Sequence, residues 1–185
     1  MPKIFLISSP SGGGEDSVIE GLEKKLPFNR VITTVTRDIW SGEKNGKPYY
    51  FVPIENFKKL IDKKSFIEWA KVYGDYRGCE KKEIKRLLKK DLPILWKVDW
   101  QGVVAIKKIY PDAIAIYIAP PSYQALENRL IQRGRENLAD IKKREKFTKE
   151  WMKKKHIYDH IVKNKDNGLN DAIDAIYKII ADRAK

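Results

Sequence analysis

The residues with the clearest chemical potential lie near the start of the chain. Ser9-Pro-Ser-Gly-Gly-Gly14-Glu15-Asp16-Ser17 follows an apolar run, Lys3 to Ser8, and precedes a helical pattern. A strand, a glycine-rich turn and a helix N-terminus together form a cradle in which backbone N–H groups and the helix dipole face phosphate oxygens. The usual pattern, G-x-x-x-x-G-K-[ST], adds a lysine for the outer phosphates and a hydroxyl for magnesium. Here Ser9 stands at the first glycine, Glu15 at the lysine and Asp16 at the Ser/Thr. Two readings stay open on these residues alone. One is an altered phosphate site spanning Ser11, Gly12, Gly13, Gly14, Glu15, Asp16 and Ser17. The other is a flexible turn whose acids favour a helix N-terminus. His156 and His160, four apart, could share a metal, but no third ligand accompanies them, and a solvated pair is the expectation.

The elements that must position these groups are read from the apolar spacing. Buried strands are expected at Lys3–Ser8, Pro93–Val98, Ala113–Ile118 and His160–Lys163. Helices should follow the first three, carrying Val18, Ile19, Leu22 and Leu26, then Val103, Ile106 and Ile109, then Leu126, Leu130 and Ile131. A closing helix is expected from Asn170 to Ala184. Between Arg30 and Gly78 the texture changes to shorter extended pieces (Val31–Val35, Tyr49–Val52, Ile67–Tyr73) broken by Gly42, Gly46 and Gly74, with one helix near Ile54–Ile61. Leu138–Tyr158 is highly charged and suits a helical lid. The implied architecture is α/β: a three-layer fold of the P-loop NTPase type with a central parallel sheet, an inserted, mostly β subdomain and a helical lid. The expected division is a core of 1–33, 80–127 and 159–185, an insert of 34–79 and a lid of 128–158.

Composition bounds the rest. The 185 residues carry 38 Lys and Arg against 25 Asp and Glu, a formal charge of +13, with 42% hydrophobic and 34% charged residues. That balance excludes a disordered or fibrous chain and suits one domain. The single cysteine, Cys79, excludes an intramolecular disulfide. The apolar run Ile4–Ile7 is too short for a signal peptide or a membrane span, so a cytoplasmic protein without a membrane partner is expected. The lysines are dispersed and no nucleic-acid-binding module is recognisable, so nucleic acid is not an expected partner.

From about residue 3 to the final helix the chain resembles the guanylate kinase family, on ordered strings. Ser9-Pro-Ser-Gly matches the family's loop. Thr34-Val-Thr-Arg37, Gly42-Glu43, Asn45-Gly-Lys47, Tyr49 and Phe51 match its GMP-domain signature, and Phe66-Ile-Glu-Trp-Ala70, Tyr73-Gly-Asp-Tyr76 and Gly78 the next block. Asp99-Trp-Gln-Gly102, Pro111-Asp112-Ala113, Ala119-Pro-Pro-Ser122, Arg129, Arg133-Gly134, Arg144, Tyr158-Asp159 and Asn164 complete the set. The resemblance implies phosphoryl transfer from ATP to GMP or dGMP, with magnesium, in a monomer or homodimer. Thr34, Glu68 and Asp99 would bond the guanine edge, where a carboxylate can accept N–H bonds that adenine does not offer. Arg37 and Tyr49 would hold the GMP phosphate, with Tyr76, Arg77, Gly78 and Cys79 beside them. Arg129, Arg133 and Arg144 would clamp the transferring phosphoryl group. Trp69 and Trp100, each following a carboxylate, would brace Glu68 and Asp99 or simply pack in the core.

The departures from the family pattern come in pairs. Glu15 replaces the loop lysine, while Lys97 replaces the first acid of the Asp-x-Asp motif at Lys97-Val98-Asp99. Trp40 replaces the second GMP-phosphate arginine, while Arg77 replaces a tyrosine. Compensation is expected on magnitude, because like charges about 4 Å apart repel by roughly 4 kcal/mol at an effective dielectric near 20. Lys97 would then serve the ATP phosphates, and Glu15 or Asp16 would hold magnesium. The alternative is an inactive binding module that takes GMP or a phosphorylated protein ligand.

Overall fold

The computed structural model describes residues 2–183. In chain order the elements are β1 (Ile4–Ser8), α1 (Glu15–Glu23), β2 (Asn29–Arg30), β3 (Thr33–Val35), β4 (Lys44–Asn45), β5 (Pro48–Phe51), α2 (Ile54–Asp62), β6 (Phe66–Val72) and β7 (Asp75–Glu80). They continue with α3 (Lys81–Leu87), β8 (Ile94–Lys97), α4 (Trp100–Ile109), β9 (Ile114–Ala119), α5 (Tyr123–Arg133), α6 (Leu138–Lys153), a 3₁₀ turn (Lys155–Ile157), β10 (His160–Lys163) and α7 (Leu169–Arg183).

The core sheet has five strands in the order β10-β9-β1-β8-β2, and all its pairings are parallel. Side chains alternate across it. Ile4 and Leu6 join Trp96, Tyr117, Val103 and Ile106 on one face. Phe5 and Ile7 join Leu95, Ile116, Val18, Ile176 and Ile180 on the other, under α1 and α7. Burial on both faces explains why the strands read as unbroken apolar runs. The α/β class and parallel sheet are as the sequence predicts. The last expected helical residue, Ala184, lies outside the described residues. Leu26 falls past the end of α1, and Ile109 and Ile131 are 49% and 47% exposed rather than packed.

The chain leaves the core sheet after Arg30 and enters a second five-stranded sheet, ordered β4-β5-β3-β7-β6. Here β7 runs antiparallel to both β3 and β6, while β3 and β5 are parallel. Neither β7 nor α3 is apparent from apolar spacing, because Asp75-Tyr-Arg-Gly-Cys-Glu80 mixes polar residues with a glycine. The structure supplies the reason for the glycine: a Cβ at Gly78 would come within 2.8 Å of the Glu68 carbonyl on the neighbouring strand.

In open α/β sheets ligands bind beyond the carboxyl ends of the strands. The carboxyl end of β1 runs into the glycine-rich turn, and that of β8 ends on Lys97 in register with Ile7. The second sheet faces this edge.

Candidate active site

Gly12 and Gly14 adopt positive φ of 85° and 99°, and Gly13 N–H donates to the Pro10 carbonyl at 2.8 Å. Gly14 caps α1 without a side chain, and a Cβ there would meet Asn164 Nδ2 at 2.5 Å. The first helical residue, Glu15, lines the cleft but is held against the base of the turn. Its Oε1 accepts from Ser9 N–H at 3.0 Å and the side chain is buried. Burial pushes its carboxyl up to about 7, against the pull of Lys97.

Asp16 takes two cations. Its Oδ2 accepts from Lys97 Nζ at 2.6 Å and its Oδ1 from Arg30 at 2.9 Å. Burial alone would raise the Asp16 carboxyl, yet these partners hold it well below the ordinary range. Burial alone would likewise lower the Lys97 ammonium, but the charges of Asp16, Tyr49 and Glu15 hold it above its ordinary value. The sequence marks Asp16 and Glu15 as magnesium ligands. With both Asp16 oxygens on cations and Glu15 turned onto a backbone N–H, they do not fit a resident ion. Among the described residues no three His, Cys, Asp or Glu side chains converge on a metal-sized site, His156 and His160 included.

Across the cleft stand two carboxylates. Glu68, on β6, accepts from Cys79 N–H at 3.1 Å. Burial, reinforced by the neighbouring Asp99, pushes it up to about 8. Asp99 caps α4, accepting from Gln101 and Gly102 N–H at 2.7 and 3.0 Å. Burial raises it too, against those backbone donors. Two acceptors held by backbone amides suit a ring edge that presents adjacent N–H donors. Arg77 points into the same cavity, and its buried Nε has no hydrogen-bond partner among the described residues. A guanidinium with an unpaired buried donor suits an incoming anion.

Arg37 is locked from two sides. Glu43 takes both its terminal nitrogens at 2.7 and 2.6 Å, and the Trp40 ring lies 3.7 Å from its guanidinium carbon. The Trp40 ring also meets two arginines of the α5–α6 turn, Arg135 at 5.0 Å and Arg133 at 5.6 Å. Glu136 in that turn accepts from Arg133 at 2.6 Å and Arg144 at 3.1 Å. Trp151 Nε1 and Ser8 Oγ each lie 2.9 Å from the Tyr158 hydroxyl, tying the end of α6 to the end of β1.

One cavity therefore brings together Ser11, Gly12, Glu15, Asp16, Lys97 and Arg133 with Arg37, Tyr49, Glu68, Arg77, Gly78 and Asp99. A second, on the outer side of the turn, is lined by Gly14, Ser17, Arg129, Asn164 and Asp166. Arg129 bonds the Asn164 carbonyl at 3.0 Å and Asp166 at 2.8 Å there. Gly13 lines neither cavity; its carbonyl accepts from Asn164 Nδ2 at 2.8 Å.

Several expected residues sit elsewhere. Thr34 is buried with its hydroxyl 3.4 Å from Glu80, and it is Thr33 that lines the cavity. Tyr76 stacks on Phe57 at 5.4 Å, because successive strand residues face opposite sides and Arg77 takes the cleft side. The Cys79 thiol is buried in the core, lies 3.6 Å from the Glu80 carbonyl and is pushed up by burial. Only its backbone N–H serves the site. Arg144 lies outside both cavities, 4.9 Å from the Tyr73 ring. Trp69 is 46% exposed, on the strand face away from Glu68, so it neither braces that carboxylate nor packs in the core. Trp100 packs against the core cluster. Thr33 and Glu136 carry no motif mark in the sequence, and Tyr73 and Glu43 enter there only as members of the family strings, with no role in the site. Strand parity counted back from Arg37 selects Thr33.

A phosphate-cradling turn at the edge of a parallel sheet, opposite a carboxylate-lined pocket, defines a P-loop-type nucleotide-binding protein. The sequence model of one such family, guanylate kinase, matches residues 1–183. Guanylate kinase of Rickettsia prowazekii is 39% identical over 184 residues, covering 98% of this chain and 92% of its own. That of Shewanella violacea is 38% identical over 165 residues, covering 88% of this chain and 80% of its own. The crystal structure of guanylate kinase from Anaplasma phagocytophilum superposes with a TM-score of 0.78 at 27% identity, covering 99% of this chain and 86% of its own. The chain belongs to the guanylate kinase family.

Proposed function

We propose that this protein transfers the γ-phosphoryl group of ATP to GMP or dGMP, yielding ADP and the nucleoside diphosphate. The observation that carries the reading is the placement of Glu68 and Asp99 in one cavity with the glycine-rich turn. A guanine edge at the carboxylate pair puts the acceptor phosphate toward Arg37, Tyr49 and Arg77. An ATP along the turn puts its outer phosphate at the same point. Phosphoryl transfer needs little covalent help from protein; it needs alignment and preorganised positive charge. Arg129 and Arg133 supply charge from the donor side. Magnesium enters with ATP as part of the substrate, since Asp16 and Glu15 are already engaged.

In this reading the segment 34–79 is the acceptor-binding subdomain and 128–158 the lid. Glu43 and Glu136 hold Arg37, Arg133 and Arg144 until a phosphate competes for them. No helix among the described residues is long and apolar enough to cross a membrane. The test is ADP release from ATP and magnesium, measured with each nucleoside monophosphate in turn. Release with GMP or dGMP and not with AMP, CMP or UMP is the expected result. GMP binding without any release would establish the inactive module instead.

A further inference from the structure

The phosphate turn of this chain contains no cation: residues 9–17 carry Glu15 and Asp16 and neither lysine nor arginine. A turn with two acids should repel a triphosphate unless positive charge reaches it from outside. The structure shows where that charge comes from. Lys97 ends β8, and its neighbour Val98 donates from its backbone N–H to the Ile7 carbonyl at 3.1 Å. The side chain is 17% exposed and its ammonium bonds Asp16 Oδ2 at 2.6 Å. On the other side the ammonium lies 5.7 Å from the Tyr49 ring centroid. It therefore stands between the donor turn and a residue of the acceptor pocket, lining the same cavity as Ser11, Gly12 and Arg77.

The two acids have complementary places. Glu15 is turned onto Ser9 N–H, which engages one of its carboxyl oxygens. Asp16 holds Lys97 on one oxygen and Arg30 on the other. We infer that Lys97 is the cation that receives the transferring phosphoryl group, that it replaces a turn lysine from the neighbouring strand, and that Asp16, steadied by Arg30, is its positioning residue. This rests on the phosphoryl-transfer reading but places the charge differently from a turn lysine. Lys97 approaches from the sheet, on the acceptor side of the cleft, whereas a lysine at position 15 would approach from the helix.

The exchange is reciprocal in type, which makes it testable by reversal. Lys97→Met removes the charge and keeps much of the length; kcat/KM for ATP should fall about 100-fold or more, as for other lost phosphate-facing charges. Lys97→Arg should recover part of that loss. The double variant Glu15→Lys/Lys97→Asp should exceed Lys97→Asp alone by at least tenfold, and by more than Glu15→Lys alone gains over the parent, the non-additivity of residues acting on one group. Asp16→Asn should lower kcat more than it weakens ATP binding, as befits a group that aims Lys97 rather than touching substrate.

Calorimetric titration of ATP and magnesium into the GMP-free protein gives a second readout that does not depend on turnover. Lys97→Met should weaken this binding about tenfold, and by more than it weakens GMP binding titrated separately. Folded Lys97→Met protein that keeps both ATP affinity and kcat/KM within threefold of the parent overturns the inference. So does a double variant no better than Lys97→Asp. If the parent releases no ADP yet its ATP affinity depends on Lys97, the phosphoryl-transfer reading fails and the donor-site lysine stands.

Discussion

The two sides of the cleft hold their charges in different ways. On the side proposed for guanine, Glu68 and Asp99 are oriented by backbone amides of Cys79, Gln101 and Gly102. On the donor side, Asp16 is oriented by the side chains of Lys97 and Arg30. Amide donors belong to the backbone, so any sequence that builds this strand pair and this helix cap supplies them. Side-chain donors belong to individual residues, and two neighbours can trade charge without moving the fold. Glu68 and Asp99 match the family strings, while Glu15, Asp16 and Lys97 depart from them.

The contrast can be broken first at Glu68. Glu68→Gln replaces an acceptor with a donor opposite the guanine N–H groups. It should lower kcat/KM for GMP by about 1,000-fold or more while ATP affinity holds. Steady-state kinetics against each substrate separates the two. Retention of GMP activity in this variant would remove the guanine-edge assignment.

A pH series tests the same carboxylates without mutation. Folded Glu68 and Glu15, at about 8 and about 7, lie above the ordinary glutamate value of 4.5. The folded state therefore binds protons more tightly than the unfolded chain. Their stabilising contribution is complete below pH 4.5 and is lost as pH rises through 7 to 8. The melting temperature of the ligand-free protein should fall by roughly 5 °C or more between pH 5 and pH 8. Glu68→Gln should flatten much of that slope. GMP affinity should move the opposite way, rising with pH as Glu68 ionises.

Trp40 tests the junction between the two sides, because its ring carries Arg37 from one and Arg133 and Arg135 from the other. Trp40→Leu keeps an apolar side chain and removes the π face. The expected loss is about 1 kcal/mol, read as a severalfold rise in KM for GMP with kcat less affected; Trp40→Phe should recover part of it. The smallest effect belongs to Cys79→Ala. Its backbone N–H still reaches Glu68, so kcat/KM should stay within about threefold. A large loss there would mean that the thiol itself faces substrate.

Much of this arrangement is legible in the sequence, for identifiable reasons. The core strands are buried on both faces, so Ile4–Ser8 and Ile94–Lys97 announce themselves as apolar runs. Asp99 stands immediately after a strand and before a helix, where a capping acid is expected. The second sheet is harder to read. Several of its strands are half-buried, β3, β4 and β5 span four residues or fewer, and β7 contains Gly78 for a close strand approach rather than for a turn. Parity errors follow in such strands. A one-residue slip takes Thr34 in place of Thr33, and Tyr76 is expected in the site beside Arg77 although successive strand residues face opposite sides. The partners Glu43 and Glu136 are separated from the arginines they hold by turns, and spacing alone does not reveal such pairs. Lys97 is the reverse case. Its neighbourhood with the turn follows from parallel pairing of β1 and β8, a relation set by topology across many residues.

The Tyr158 hydroxyl has a mechanical consequence. By meeting both Ser8 and Trp151 it pins the carboxyl-terminal root of α6 to the strand that launches the phosphate turn. A helix clamped at one end behaves as a cantilever: displacement grows with distance from the clamp. The far end of this beam, from Asn137 through Arg144, rests on side-chain contacts, Arg144 on the Tyr73 ring and the neighbouring Arg135 on the Trp40 ring. Any bending of the helix therefore moves its arginine-bearing corner most, while the sheet beneath keeps its register.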